Sequence, residues 1–181
     1  MRKASGSLVR MLLVAAGLAA LASSGCGGSQ PPPRGVIEAN VGSWEFRRFQ
    51  KVLDIEVWVP ENPAVAHTAS YVEAEAEVRG VLEPSDVVSA FVTRYEREDG
   101  IDEALVALAR RLASESGYRI EPISAARGEA LSIRGRGEAW VMWASGTFVV
   151  KVGGRGRESV PEDVVDAYAR HYPSTLEAGA L

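Results

Sequence analysis

The chain has 181 residues, 46% of them hydrophobic and 24% charged, with a formal net charge of −4. That balance suits one globular domain and excludes a disordered, collagen-like or polytopic membrane protein. A single cysteine rules out a disulfide within the chain, and two histidines beside it leave a zinc cluster without ligands, so neither a metal site nor a cofactor is expected.

The N-terminus specifies an address. Arg2, Lys3 and Arg10 form a positive leader around the eleven-residue apolar run Met11–Leu21. A helix needs about 20 residues to cross a bilayer core, so this run has the length of a secretory signal instead. Ser23-Ser24-Gly25-Cys26 follows, and Cys26 is the sole cysteine. These residues resemble the end of a bacterial lipoprotein precursor's signal peptide, where small residues precede a cysteine that is acylated before cleavage exposes its amino group. Ser24, Gly25 and Cys26 match the last three lipobox positions, and Ser23 departs from the usual leucine. The resemblance covers the first 26 residues only. It implies a signal peptide over 1–25, lipidation of Cys26 and attachment to the bacterial cell envelope. Gly27, where aspartate does not stand, is similar to lipoproteins of an outer membrane, facing the periplasm or the surface. The alternative is an ordinary signal peptide cut after Ala20-Leu21-Ala22, which leaves an exposed thiol with a redox liability. Residues 26–35 then read as a lipidated cysteine and a Gly/Pro tether, flexible at its glycines and stiff through Pro31-Pro32-Pro33.

Without the leader the chain keeps 17 basic residues against 24 acidic ones, a net charge of −7. An acidic domain of this kind has no electrostatic reason to seek nucleic acid, and its fold is not expected to lie flat on anionic lipid.

From residue 36 the pattern predicts a single α+β domain. Trp44–Val59 reads as a strand from the alternation of Leu53, Ile55, Val57 and Val59 with polar neighbours and Trp58. Tyr71–Val81 repeats the alternation, with Glu73, Glu75 and Glu77 as the solvated face of a sheet. Helices are predicted over Ser85–Arg97 and Asp102–Ser116, the second stopped by Gly117. Strands follow at Tyr118–Ile123, Ala130–Arg134, Glu138–Ala144 and Thr147–Val152, and a last helix at Glu162–Tyr172. Pro84–Tyr95 aligns without gaps on Pro161–Tyr172 with six of twelve positions identical. That similarity suggests either two strand-strand-helix repeats, 44–97 and 118–173, or convergence on one amphipathic pattern. Both alternatives give a mostly antiparallel sheet with amphipathic helices packed on one face.

A hairpin turn centred on Ser145-Gly146 sets Trp143 opposite Phe148 and Trp140 beside Lys151 as a cation–π pair. Extending that register puts Arg136 opposite Arg155 and Arg134 opposite Arg157, threaded by glycines. Like charges facing across a ladder repel, so these four arginines are either frayed ends or a candidate anion-binding site. Trp44, Trp58 and Trp140 are candidate interface residues, because exposed tryptophan favours binding hot spots. His67 and His171 have no nucleophile or carboxylate at useful spacing, so no catalytic residue is assigned. The expected role is a membrane-tethered, non-enzymatic binding or accessory module whose partner is an envelope protein or polymer. The alternatives are a small-anion or lipid-binding protein using the arginine-rich hairpin end, and a hydrolase with a shallow site.

Overall fold

A computed structural model describes residues 29–177 and 179. The signal segment, Cys26 and the first two tether glycines lie outside the described residues. Among the described residues, no helix is long and apolar enough to cross a membrane.

Seven strands build one antiparallel sheet: β1 (Trp44–Val52), β2 (Ala64–Glu73), β3 (Val87–Tyr95), β4 (Tyr118–Ala125), β5 (Gly128–Gly135), β6 (Glu138–Ser145) and β7 (Phe148–Arg155). Their order is β1-β2-β3-β7-β6-β5-β4, so β3 and β7 meet at the centre and join two meanders. Helices α1 (Ala74–Arg79), α2 (Ile101–Ser114) and α3 (Glu162–His171) complete the fold. A mostly antiparallel α+β domain is therefore what the sequence builds.

The long helices do not share a face. Val88, Ala90, Val92, Val141, Trp143, Val150 and Val152 pack with Val164 and Tyr168 of α3. Their strand neighbours Tyr95, Leu131, Ile133, Met142, Ala144 and Val149 pack with Leu105 and Leu108 of α2. Successive side chains on a strand point to opposite faces, so the two clusters lie on opposite sides of the sheet. This corrects the one-face packing expected from sequence, and its cause is the central pair of strands. β3 and β7 bury apolar side chains on both sides, Val88, Ala90 and Val150 toward α3 and Tyr95 and Val149 toward α2, and one helix covers only one side.

The predicted helix over Ser85–Arg97 is instead a short 3-10 turn at Pro84–Asp86 followed by β3. Its partner in the sequence alignment, Pro161–Tyr172, is indeed the helix α3. The two copies diverge where it matters: Phe91-Val92-Thr93 stands where Tyr168-Ala169-Arg170 stands in α3. β-branched and aromatic residues lose rotamer freedom in a helix and pack well on a pleated surface, whereas alanine and arginine favour the helix. Segment 44–97 holds three strands and segment 118–173 holds four, so the strand-strand-helix repeat is not what the fold displays.

Two further elements differ. β1 stops at Val52, and the chain then leaves the sheet with Leu53 and Trp58 exposed. Val57 and Val59 are buried on the α2 side, where the Tyr95 hydroxyl donates to the Val57 carbonyl. β2 starts at Ala64 and ends at Glu73, after which Ala74-Glu75-Ala76-Glu77 turns into α1. Alanine and glutamate are strong helix formers and poor strand residues, so the acidic row of a strand becomes the first turn of a helix.

Residues ahead of β1 are fastened to the core by tyrosines. The Ile37 N–H donates to the Tyr168 hydroxyl at 3.1 Å, and the Tyr71 hydroxyl donates to the Ile37 carbonyl at 2.6 Å. The two hydroxyls lie 2.7 Å apart. With the Tyr71 proton spent on Ile37, the Tyr168 proton closes the ring. Burial pushes the Tyr71 hydroxyl up to about 12 and raises Tyr168 further, so both remain donors at neutral pH. The Tyr172 hydroxyl adds a bond to the Gly35 carbonyl at 2.6 Å.

Replacing Tyr168 with phenylalanine leaves the Ile37 N–H buried without its acceptor. Urea denaturation at pH 7 should show a loss of about 1–3 kcal/mol, the penalty of an unsatisfied buried donor. An unchanged midpoint would mean that the ring does not hold this segment.

Candidate functional site

A groove of about 380 Å³ opens on the α3 side of the sheet, between the first half of α3 and strands β4 to β6. Its floor and inner wall are apolar, formed by Ile123, Ala139, Val141, Val160 and Val165. The rim is polar. Arg134 and Ser132 rise from β5, while Glu162 and Asp166 line the opposite side from α3.

The local sequence explains this placement. Residues 130, 132 and 134 alternate onto the α3 face of β5, so Ala130 goes into the core, Ser132 stays buried, and Arg134 reaches the open rim. Glu162 and Asp166 are four apart on a helix and therefore project from one side of it. A cation faces two carboxylates across an apolar trough. That arrangement suits an extended segment carrying both signs of charge, not a simple anion.

The four arginines proposed from the hairpin do not converge. Ser145 pairs with Phe148, so the two-residue turn is Gly146-Thr147, with Gly146 at φ +54°. Glycine is favoured at the first central position of such turns because it tolerates positive φ. Moving the turn by one residue shifts every cross-strand pair by two. The faces keep their identity, but Trp143 now pairs with Val150, and Arg155 pairs with Glu138 instead of Arg136. Arg134 pairs with Ala139, and on its other side with Arg119. Arg136 sits in the β5–β6 turn, stacked 4.8 Å over Tyr118 and donating to the Ser116 carbonyl. Arg157 turns toward β3, donates to the Val87 carbonyl at 3.2 Å and lies 5.0 Å over the Trp44 ring.

The three tryptophans are equally dispersed. Trp44 is buried, Trp58 is 72% exposed, and Trp140 is half-buried. The expected contact with Lys151 does exist: its ammonium lies 4.4 Å from the Trp140 ring and 2.6 Å from Glu56. It is diagonal, since Trp140 pairs with Gly153 and Lys151 with Met142.

A second concavity of about 440 Å³ lies at the far end of α3, where residues 30–35 cross the ends of β2 and β3. His67 lines it, stacked 5.2 Å from Phe49. His171 is outside it and engaged locally, with Nδ1 at 2.8 Å from both the Ser29 hydroxyl and the Gln30 carbonyl. Among the described residues, no group of three metal-ligating side chains is close enough to hold an ion.

Sequence reasoning found Arg134 but missed the carboxylates that face it. The spacing of Glu162 and Asp166 was a usable signal, since it placed both on one helix face. Nothing local signalled the second concavity, whose basic residues come from three separate segments.

No protein-family model matches this chain, and neither a curated protein nor a solved structure is similar to it.

Burial, and then the charges of Lys51, Arg34 and Arg94, hold the His67 ring below its ordinary value near 6.5. The unfolded chain therefore takes up this proton first as pH falls. Stability should decline from pH about 6.5 down to the folded-state value and stay level below it. Urea midpoints at pH 7.5 and 5.5 should show a smaller acid loss for His67→Gln than for the native chain; equal losses would remove His67 as the cause.

Proposed function

We propose that this chain is a lipid-anchored module of the bacterial envelope that binds a partner without catalysis, using the groove between α3 and β5. The lipoprotein-like N-terminus through Cys26 supports the address. The observation that carries the binding role is the juxtaposition of Arg134 with Glu162 and Asp166 over an apolar floor. Clefts that bind ligands combine such a floor with a few placed polar groups. The partner is an envelope protein or polymer presenting an extended segment of mixed charge. Its apolar side would lie on Ile123, Val141 and Val165, with its acidic group on Arg134 and its basic group on the α3 carboxylates.

Two measurements test this. Intact mass of the native protein should give a polypeptide beginning at Cys26 with added acyl chains; an unmodified polypeptide beginning at Ser23 would remove the anchor. A photo-crosslinker placed at the exposed Ser159, which lines the groove, should capture a defined envelope component in intact cells. Arg134→Glu should reduce that adduct several-fold, since it replaces an attraction with a repulsion. A crosslinker at Val78, on α1, should not capture it. Equal capture from both positions would show that the groove is not the contact.

A further inference from the structure

The second concavity carries chemistry that the groove does not use. Arg34, from the segment before β1, and Arg94, from the end of β3, line it with His67, and Lys51 at the end of β1 stands opposite His67 in the β1–β2 ladder. Arg34 stacks 3.9 Å over Phe49 and is ion-paired with Glu38. Lys51 and Arg94 are exposed and, among the described residues, have no carboxylate partner. Glu96 lines the adjoining cleft with Arg94. Two cations without a carboxylate partner thus stand close to a third. The walls are apolar, with Pro31, Pro33, Val65, Phe148 and Tyr172.

The path of the chain gives this concavity an orientation. The Ser29 N–H donates to the Arg170 carbonyl at 2.8 Å, the Ser29 hydroxyl contacts His171, and Gln30 lines the concavity. The tether predicted over 26–35 is therefore docked on the domain from Ser29 onward. Cys26 precedes Ser29 by three residues, and three peptide units span at most about 11 Å. A lipid on Cys26 would therefore enter the bilayer within that reach of Ser29, near this rim.

We propose that this concavity is the membrane-facing site of the domain and receives the phosphate headgroup of an anionic phospholipid. The inference rests on the lipid-anchor reading for its orientation. Arg34, Lys51 and Arg94 supply the charge, and the proline and phenylalanine walls accept the glycerol and upper acyl region. Basic side chains near an anionic surface contribute individually and additively, so reversing two of them has a large effect.

The test uses the processed chain carrying Cys26→Ser, which has no acyl group to mask headgroup binding. It is floated with phosphatidylcholine vesicles, with and without phosphatidylglycerol. Binding should require the anionic lipid. The double variant Lys51→Glu/Arg94→Glu should lower partitioning at least about tenfold. Lys51→Gln/Arg94→Gln should lower it less, and Arg110→Glu/Arg111→Glu on α2 should leave it unchanged. Lys51 and Arg94 are exposed, so their substitution should leave the fold intact, and circular dichroism of each variant checks this. Equal binding to both vesicle types, or insensitivity to the charge reversal, overturns the site. Tight binding of inorganic phosphate without vesicle binding also overturns it, in favour of a free-anion pocket. An unacylated native Cys26 would end the anchor reading alone, because the vesicle result does not depend on acylation.

Discussion

A closed ring of hydrogen bonds among Ile37, Tyr71 and Tyr168 fixes how the N-terminal segment enters the domain. Tyr71 stands on β2 and Tyr168 on α3, so the backbone of one residue couples a strand, a helix and the incoming chain. Each hydroxyl is buried and would be costly if unpaired, and the cyclic arrangement leaves none of the four groups unsatisfied. The described residues upstream are fastened in continuation of this ring. Gly35 is held by Tyr172, Arg34 is carried over Phe49, and Ser29 reaches the end of α3. The basic concavity exists because this segment is laid across the sheet instead of hanging free.

A second constraint is the register of one hairpin. A turn displaced by a single residue preserves which side chains are buried and changes which ones meet. Trp143, Val150 and Val152 are core in either register, so burial was an insensitive witness. Pair-level inferences were sensitive to it. The arginine cluster dissolved because Glu138 took the place expected for Arg136 opposite Arg155. The pairing of Lys151 with Trp140 persisted only because long side chains reach diagonally across a ladder. Gly146 could have decided the matter earlier, since a two-residue loop favours glycine at its first central position.

The legible parts of the fold were those where pattern and propensity agreed. Strands β4 to β7 and helices α2 and α3 were placed from sequence to within a few residues. β3 was not, because a central strand covered on both faces shows apolar residues at 87, 88, 91, 92 and 95, which is also helical spacing. The tie is broken by residue type: valine, phenylalanine and threonine in β3 against alanine, aspartate and arginine in α3. α1 failed for the opposite reason. Its alternation of alanine and glutamate has strand period, yet both residues favour a helix. Of the candidate site, Arg134 was legible and its opposing carboxylates were half legible. The basic concavity was not, since Arg34, Lys51, His67 and Arg94 are joined only by tertiary structure.

The two concavities lie on the same side of the sheet, at opposite ends of α3. The groove takes Glu162 and Asp166 from its first half, and the basic concavity takes Tyr172 from just beyond its last turn. Six residues along the helix, from Asp166 to Tyr172, set them roughly 9 Å apart. A domain resting its basic end on headgroups would therefore hold the groove away from them, toward the aqueous phase. A leash of three residues allows little swinging, so the orientation would be set by surface contact and not by tether length. With a lipid on Cys26, the docked segment 29–35 would serve as a spacer that sets the angle of presentation. The acidic remainder of the chain would favour the same posture, since an anionic surface that attracted Lys51 and Arg94 would repel it.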